Sequence, residues 1–182
     1  LMIVDIDASI DSRPPDFTLI EKLALESRMP LCYGGGVKTA ADARRLVSSG
    51  VEKVAVSSLL FENIPELNEI SKAVGSQSVV AVLDSKKRKL FKGYDVYIHN
   101  GKKRVKSNLE QVLSQLREYN IGEIVINSID NDGLMQGYDV DLINLVRSNT
   151  VLPISALGGA GHLNDMKKLI DRFGIIGAAA GS

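Results

Sequence analysis

Two glycine-rich segments each follow a short apolar run, in positions where backbone groups could contact phosphate. The first is Gly34-Gly35-Gly36 and the second is Gly158-Gly159-Ala160-Gly161. Glycine lets backbone N–H groups approach phosphate oxygens closely, and a following helix N-terminus adds a favourable dipole. Ser57-Ser58 and Gly181-Ser182 follow the next apolar runs and could complete each site. A single segment is equally well explained as a tight turn, but the matched pair favours a substrate phosphorylated at both ends.

Carboxylates also follow apolar runs, where they could transfer protons. Asp84 follows the run Val79 to Leu83, and a carboxylate facing a substrate can act as a general acid or base if its pKa suits. From position alone, Asp84 could equally cap the strand and accept hydrogen bonds from backbone amides. The stretch from Asp130 to Gly133 has ordinary turn chemistry, but its place after a strand favours substrate contact. Further candidates of this kind are Asp5 and Asp7.

Other reactive residue types argue against several kinds of site. His99 and His162 have no second ligand at metal spacing, so we expect neither a metal nor a cofactor. Cys32 lies within an apolar run and is better explained as a buried apolar residue than as a nucleophile. The candidate serines have no histidine base at triad-like positions, which argues against a hydrolase.

Composition favours a small-molecule enzyme of the cytoplasm. Lys+Arg and Asp+Glu number 22 each, so no net field would hold nucleic acid or an anionic membrane. No stretch approaches the roughly 20 apolar residues of a membrane helix. The single cysteine cannot form an internal disulfide, which suits a reducing compartment. Because the chain begins on an apolar run without methionine, we expect it to be a fragment.

These candidate residues are positioned by an alternation of strands and helices. Nearly continuous apolar runs indicate strands buried on both faces, as in a parallel sheet covered by helices. We predict seven strands, near residues 1–6, 30–33, 53–57, 78–83, 123–127, 153–156 and 175–179, and six helices between them. An open doubly wound sheet and a closed barrel both fit this alternation.

An internal repeat favours the barrel. At one constant offset, Gly35 matches Gly158, Asp42 matches Asp165, and the run from Ile3 to Asp7 matches Ile126 to Asp130. The middle strand, ending at Asp84, then lacks a counterpart, which we expect upstream. The sequence therefore predicts residues 1–182 to be a single α/β domain, a (β/α)8 TIM barrel with a half-barrel repeat. It would hold strands 2 to 8 and lack the first strand–helix unit and the last helix of a fold that spans about 250 residues.

Residues 86–106 interrupt the alternation. Tyr94 to Ile98 alternates apolar and polar residues and is followed by the turn His99 to Lys102, which predicts an inserted hairpin over the barrel mouth. The segment is basic, and a solvated loop or one that attracts a phosphorylated substrate explains it better than a nucleic-acid site. Its basic residues are Lys86, Lys87, Arg88, Lys89, Lys92, Lys102, Lys103, Arg104 and Lys106.

At four ordered motifs the sequence resembles the cyclase subunit of imidazole glycerol phosphate synthase, and the likeness runs along essentially the whole chain. The motifs are Pro30 to Val37, Gly75 to Val80, Asn127 to Gly133 with Gly137-Tyr138-Asp139, and Ala156 to Gly161. The resemblance implies a heterodimer with a HisH-like glutaminase subunit that supplies ammonia. The ammonia reacts with a bis-phosphorylated ribulosyl aminoimidazole carboxamide ribonucleotide, giving imidazole glycerol phosphate for histidine biosynthesis and a carboxamide ribotide that returns to purine synthesis.

The resemblance also implies residue roles. Asp84 would be one of two catalytic aspartates, the other lying outside the chain, so the fragment itself is expected to be inactive. Lys53 and Glu123 would belong to an ammonia gate, although an ordinary solvated ion pair explains them equally from sequence. The phosphates would be bound by Gly35, Gly36, Ser57, Gly158, Gly159, Gly181 and Ser182. The pocket would be lined by Asn127, Asp130, Asp132 and Gly133.

Three alternatives remain open. Family members usually carry asparagine at the position of Ser57, and the wording from Ile126 to Gly133 also resembles cyclase paralogues of surface-polysaccharide gene clusters. Those paralogues are thought to supply ammonia for amidation of a sugar. The related barrel isomerase of the same pathway shares the repeat, but the Gly75-Ser76-Gln77 wording favours the cyclase. A non-catalytic module that binds a glutaminase and channels ammonia is the third.

Overall fold

The computed structural model describes residues 1–8, 11 and 13–181. Close contacts divide the chain into two compact units. The first comprises residues 1–81 with 119–122, and the second comprises residues 82–118 with 123–182. The two are described separately below.

The first unit alternates parallel strands with helices. Its strands pair in chain order, with Ile3 opposite Tyr33, Tyr33 opposite Val54, and Val54 opposite Val79. Its elements are β1 (Met2–Val4), α1 (Phe17–Glu26), β2 (Cys32–Gly34), α2 (Ala40–Ser48), β3 (Lys53–Val56), α3 (Leu59–Glu62), α4 (Ile64–Val74), a 3-10 turn (Ser76–Ser78) and the start of β4 (Val79–Lys87).

The core of the first unit lies where α2 packs against α4 and both cover the strands. Leu46 on α2 and Leu67 on α4 are fully buried, as is Val54 on β3. Burying one such side chain stabilises the fold by about 1.5–3 kcal/mol. This packing fixes the carboxyl ends of β2 and β3, from which the first glycine segment and Ser57 extend.

The second unit contains the rest of β4 and two further kinds of strand. Its parallel strands are β4, β7, β8 and β9 in that order, with Ile126 opposite Ala156 and Ala156 opposite Ala178. Its elements after β4 are β5 (Tyr94–Ile98), β6 (Lys103–Asn108), α5 (Leu109–Leu116), β7 (Glu123–Ser128), α6 (Val140–Asn149), β8 (Ile154–Leu157), α7 (Leu163–Phe173) and β9 (Gly177–Ala178).

All seven predicted strands occur, together with β5 and β6, and each unit alternates parallel strands with helices. This is the chain organisation of a partial (β/α)8 barrel, so the predicted fold class is confirmed. Cys32 lies in β2 as expected, but it is half-buried rather than fully buried. None of the helices within the described ranges is long and apolar enough to cross a membrane.

The strand that carries Asp84 is longer than predicted. We expect it to end at Leu83 or Asp84, whereas β4 continues to Lys87. The reason is antiparallel pairing with β5, which sets Asp84 opposite Tyr97 and Lys87 opposite Tyr94. β5 pairs in turn with β6, so residues 86–106 include a hairpin continuous with β4. Asp84 therefore lies inside a strand rather than at its end.

One predicted helix is divided into two. The sequence predicts a single helix over residues 61–74, but α3 ends at Glu62 and α4 begins at Ile64. Asn63 breaks the helix because its backbone leaves the helical region and its side chain accepts a hydrogen bond from the N–H of Glu66. Pro65 follows in the first turn of α4, where a missing N–H costs nothing. The residues that the structure describes thus form seven α-helices instead of six.

Candidate functional site

The first glycine segment forms a turn that only glycine can adopt. Gly35 and Gly36 have φ angles of 118° and 68°, in the left-handed region that L side chains rarely enter. A Cβ atom on Gly35 would collide with the carbonyl oxygen of Asp5, and one on Gly36 with that of Arg13. The backbone of this turn therefore carries no side chain at Gly35 or Gly36.

The second glycine segment repeats this geometry in the second unit. Gly158 and Gly159 have φ angles of 91° and 99°. A Cβ atom on Gly158 would lie 2.6 Å from the carbonyl oxygen of Ser128, and one on Gly159 would collide with that of Gly137. The internal repeat read from the sequence is thus a repeat of backbone conformation. We refer to residues 34–37 and 157–160 as the first and second glycine turns.

A carboxylate fixes the end of each turn. Asp42 accepts hydrogen bonds from the N–H groups of Lys38 and Thr39 at 3.2 and 2.9 Å. Asp165 accepts from those of Gly161 and His162, both at 3.1 Å. The two backbone N–H groups hold the pKa of Asp165 below its usual range. Thr39 and His162 are the N-cap residues of α2 and α7, so both turns lead directly into a helix N-terminus.

Several other N–H groups of the turns are not used in hydrogen bonds. Among the residues that the structure describes, no hydrogen bond is donated by the N–H of Gly36, Val37, Gly159 or Ala160. Free N–H groups beside a helix N-terminus attract anions, because both present partial positive charge. Each turn has the donors that a phosphate group requires.

Of the small residues predicted to complete the phosphate sites, the structure describes Ser57 and Gly181. Gly34 is paired with Ala55, so by the same register Ser57 lies level with Gly36. The Ser57 hydroxyl oxygen is enclosed and has no hydrogen-bond partner among the described residues. Gly181 is exposed beyond β9, with no atom within 4 Å of the position of a Cβ. Ser182 lies outside the described residues.

Asp84 is joined to another predicted site residue. The side-chain Nδ2 of Asn127, on β7, donates a hydrogen bond to Asp84 Oδ1 at 2.9 Å. Burial raises the pKa of Asp84 above its usual range, the hydrogen bond from Asn127 lowers it, and the charge of Asp132 raises it further. The net shift is upward. A carboxyl group whose pKa is moved toward neutrality is suited to donate and accept protons near pH 7.

Asn127 also lies against the second glycine turn. A Cβ atom on Gly158 would be 2.9 Å from Asn127 Oδ1. That oxygen is buried and accepts no hydrogen bond within the described part of the chain. The structure therefore brings together three of the predicted site residues, Asp84, Asn127 and Gly158.

The loop after β7 is held by contacts of its own. Asp130 accepts a hydrogen bond from the N–H of Lys87 at 2.8 Å and pairs with the ammonium of Lys86 at 3.8 Å. Asp132 and Gly133 are exposed, and the charge of Asp132 raises the pKa of Asp84. Asp130 therefore connects its loop to the basic hairpin, a contact that its turn-like sequence does not reveal.

Part of the basic charge of the hairpin is neutralised. Asp95 on β5 pairs with Arg88 at 2.9 Å and with Arg104 at 3.2 Å. Together with the pairing of Lys86 to Asp130 and of Lys87 to Asp141, these contacts engage four of its cations. This arrangement weakens the case for a nucleic-acid surface, which depends on cations available to phosphates.

Lys53 and Glu123 both begin a strand. Lys53 is the first residue of β3 in the first unit, and Glu123 is the first residue of β7 in the second. Glu123 accepts a hydrogen bond from the hydroxyl of Ser155, the second residue of β8, at 2.6 Å. Both charged side chains thus lie at strand starts, away from the carboxyl ends where the glycine turns form.

Sequence reasoning missed three buried tyrosines. Burial, with the charges of Asp5 and Asp16, raises the pKa of Tyr33 to about 12. The Tyr94 hydroxyl donates to Asp139 at 2.9 Å, which caps α6, and the Tyr138 hydroxyl donates to the carbonyl oxygen of Ala179 at 2.9 Å. Their apolar spacing was the available signal, but it indicates burial alone and does not identify the partner of a hydroxyl.

The donor set at these positions does not resemble a metal centre. No group of three or more His, Cys, Asp or Glu side chains in the described ranges is arranged to hold a metal ion. The groups that converge are backbone N–H donors, one amide and one carboxyl. Such a set can bind an anion and move a proton.

Comparison with known proteins agrees with this arrangement. The family described as "Histidine biosynthesis protein" matches residues 1–182. A protein of Leptospira borgpetersenii, provisionally named imidazole glycerol phosphate synthase subunit HisF, is 48% identical over 182 residues, covering 100% of this chain and 72% of the relative. A provisionally named hisF3 subunit of Vibrio vulnificus is 44% identical, covering 100% and 70%.

A relative that bears the name without qualification is more distant. The imidazole glycerol phosphate synthase subunit HisF of Natranaerobius thermophilus is 36% identical over 182 residues, covering 100% of this chain and 72% of the relative. The alternating fold, the repeated glycine turns and these likenesses agree along the whole sequence. The chain belongs to the histidine-biosynthesis family and, within it, to the HisF cyclase subunits of imidazole glycerol phosphate synthase.

Proposed function

We propose that the protein closes an imidazole ring by adding ammonia to the bis-phosphorylated ribulosyl aminoimidazole carboxamide ribonucleotide. The observation that carries this proposal is the half-buried Asp84, held by Asn127 beside an anion-binding turn. Ring closure needs a group that gives up and takes back protons close to the substrate phosphate. Asp84 has the position and the raised pKa for this role.

The two glycine turns supply the substrate-binding part of the proposal. Each offers unused N–H donors and a helix N-terminus, and the substrate carries one phosphate for each. Gly35, Gly36 and Ser57 would bind one phosphate. Gly158 and Gly159 would bind the other, together with Gly181 and Ser182.

The source of ammonia would be a glutaminase subunit of the HisH type. Lys53 and Glu123 lie at strand starts and support an entry for ammonia there, while Asp130, Asp132 and Gly133 would line the pocket at the opposite strand ends. We also place the reaction in the cytoplasm, which the single cysteine supports because reducing compartments do not favour disulfides.

The test is ammonia-driven cyclisation by the full-length protein, compared with Asp84→Asn. Loss of the proton-transferring group should lower kcat by about 10²–10⁴-fold, because asparagine keeps the shape of Asp84 but cannot exchange a proton at neutral pH. The matched control is Asp171→Asn, which removes an exposed carboxylate of α7 and should leave kcat unchanged. An Asp84→Asn protein that turns over at the wild-type rate would remove Asp84 from the mechanism.

A second candidate is a paralogue that channels ammonia for amidation of a surface-polysaccharide sugar. The provisionally named relatives, among them those numbered hisF2 and hisF3, are 38–48% identical, while the unqualified HisF proteins reach 36%. Ser57, in place of the usual asparagine, points the same way. A folded wild-type protein that binds a glutaminase but does not turn over the bis-phosphate would favour this candidate.

A further inference from the structure

The Asn127 side chain has one hydrogen-bonding group satisfied and the other not. Nδ2 donates to Asp84, while the buried Oδ1 accepts nothing within the described residues and lies against Gly158. A buried carbonyl oxygen without a donor is unfavourable, because no hydrogen bond offsets the loss of its hydration. The second glycine turn therefore carries an unfavourable acceptor next to N–H groups that attract an anion.

This orientation of the amide is matched to an ionised Asp84. A carboxylate accepts hydrogen bonds but cannot donate them, so it requires the NH₂ group of Asn127. Oδ1 then faces the turn, where its lone pairs would repel the oxygens of a phosphate. Ionised Asp84 thus favours the orientation in which Nδ2 faces the carboxylate, whereas an anion in the turn favours the orientation in which Nδ2 faces the turn.

Protonation of Asp84 removes the conflict. A protonated carboxyl can donate to Oδ1, and a half-turn of the amide about χ2 then directs Nδ2 to the glycine turn without displacing the backbone. In that orientation the NH₂ group donates to the bound anion. Both Nδ2 and Oδ1 of Asn127 then have a hydrogen-bond partner.

We infer that the Asn127 amide couples anion binding at the second glycine turn to protonation of Asp84, so that each favours the other. This inference rests on the proposed phosphate site. It gives Asn127 a positioning role, in which a bound substrate phosphate loads Asp84 with the proton it would deliver. Because coupling is reciprocal, the proton must also strengthen anion binding.

Few other charges in the second unit act on Asp84. Asp132 from the loop after β7 is the charged group that shifts the pKa of Asp84, and Tyr97 on β5 lies directly opposite in the strand register. Lys86 on β4 is paired with Asp130, and Arg104 on β6 with Asp95. An anion could also raise the pKa of Asp84 by direct repulsion, so the experiment must remove the amide and keep the charges.

The test uses inorganic sulfate, whose charge does not change near neutral pH, and follows the amide signals of Gly159 and Ala160 by NMR. In the wild type, sulfate affinity at the second turn should fall about fivefold or more as the pH rises through the raised pKa of Asp84. In Asn127→Leu, which keeps the volume but not the amide, the fall should be less than about twofold. The signals of Gly36 and Val37 report the first turn as an internal control.

Each outcome decides the matter. An equal pH dependence in the wild type and Asn127→Leu would overturn the coupling while leaving the phosphate site in place. Absence of sulfate binding at the second turn would overturn the coupling and count against the proposed function as well. If Asn127→Leu does not fold, Asn127→Ala serves instead, because it also removes the amide and keeps Asp84. Its sulfate affinity should change by less than about twofold with pH, and a pH dependence equal to that of the wild type would contradict the inference.

Discussion

The two glycine turns share a backbone but differ in what surrounds it. Both have two left-handed glycines, unused N–H groups, and a carboxylate that accepts from two backbone amides. Beside the first turn, Asp5 is partly exposed and its carboxylate contacts Arg13 at 3.5 Å. Beside the second, Asp84 contacts a neutral amide and its pKa is raised mainly by burial.

The difference separates binding from chemistry. Burial raises the pKa of Asp84, so this carboxyl group is closer to accepting a proton at neutral pH. The same turn can therefore serve anion binding in both copies, while the acid–base group beside the second copy is supplied by β4. The second turn differs from the first in the side chains beside it, which are Asp84 from β4 and Asn127 from β7.

The largest effect should come from breaking one turn at a time. In Gly158→Ala, strain at a φ of 91° costs about 1–3 kcal/mol, and the new Cβ meets the carbonyl oxygen of Ser128. Sulfate affinity at the second turn should fall about tenfold or more, and affinity at the first turn should not change. NMR titration of both sets of amide signals measures the two affinities in one sample.

The matched control is Gly174→Ala. Gly174 has a φ of 69° but no atom within 4 Å of the position of a Cβ, so the variant has backbone strain without a collision. It should lose stability to urea and retain sulfate binding at both turns. If Gly158→Ala also retains binding at the second turn, that turn is not the anion site.

A smaller effect should come from the carboxylate that closes the second turn. The folded pKa of Asp165 lies below its usual value, so its contribution to stability is present above the unfolded pKa near about 3.9 and is lost as pH falls through the folded pKa. Asp165→Asn should therefore be less stable than wild type at neutral pH, and the difference should vanish in acid. Urea unfolding across that range measures it.

Asp171→Asn is the control for this effect. Asp171 pairs with Lys167 on the exposed face of α7 and accepts no backbone N–H from the turn. Its removal should change stability little at any pH, since exposed ion pairs contribute only about 0–1 kcal/mol. A difference between Asp165→Asn and wild type that persists unchanged in acid would show that the hydrogen bonds to Gly161 and His162 are not ionic.

The fold and the turns were predictable because they follow from local rules. Continuous apolar runs mark strands that are buried on both faces, and the glycine pairs mark backbone that only glycine adopts. The extension of β4 to Lys87 was not predictable, since it depends on pairing with β5 and not on the polar residues of β4 itself. Pro65 indicated that a helix could begin near Asn63. The apolar spacing around it favoured one continuous helix instead.

The sequence named candidate site residues but could not predict the contacts among them. Position after an apolar run identified Asp84, and a motif identified Asn127, yet neither reveals that one amide touches both the carboxyl group and Gly158. Hydrogen-bond partners that lie more than forty residues apart are set by strand order, which sequence spacing does not encode. The hydrogen bond from the N–H of Lys87 to the Asp130 carboxylate could not be predicted for the same reason.

The smallest effect we expect is at Ser57, and it sharpens the contrast between the turns and between the two candidate functions. The Ser57 hydroxyl oxygen is enclosed and has no partner among the described residues, so Ser57→Asn would place an NH₂ donor just after the end of β3. If the protein uses the bis-phosphate, KM should fall by up to about tenfold with kcat unchanged, because one added hydrogen bond typically contributes about 0.5–1.5 kcal/mol net. Steady-state kinetics of Ser57→Asn against Ser57→Ala measures this. A gain of turnover that appears only in Ser57→Asn would instead mean that the natural serine has removed the cyclase substrate from this protein, which is the result the sugar-amidating paralogue predicts.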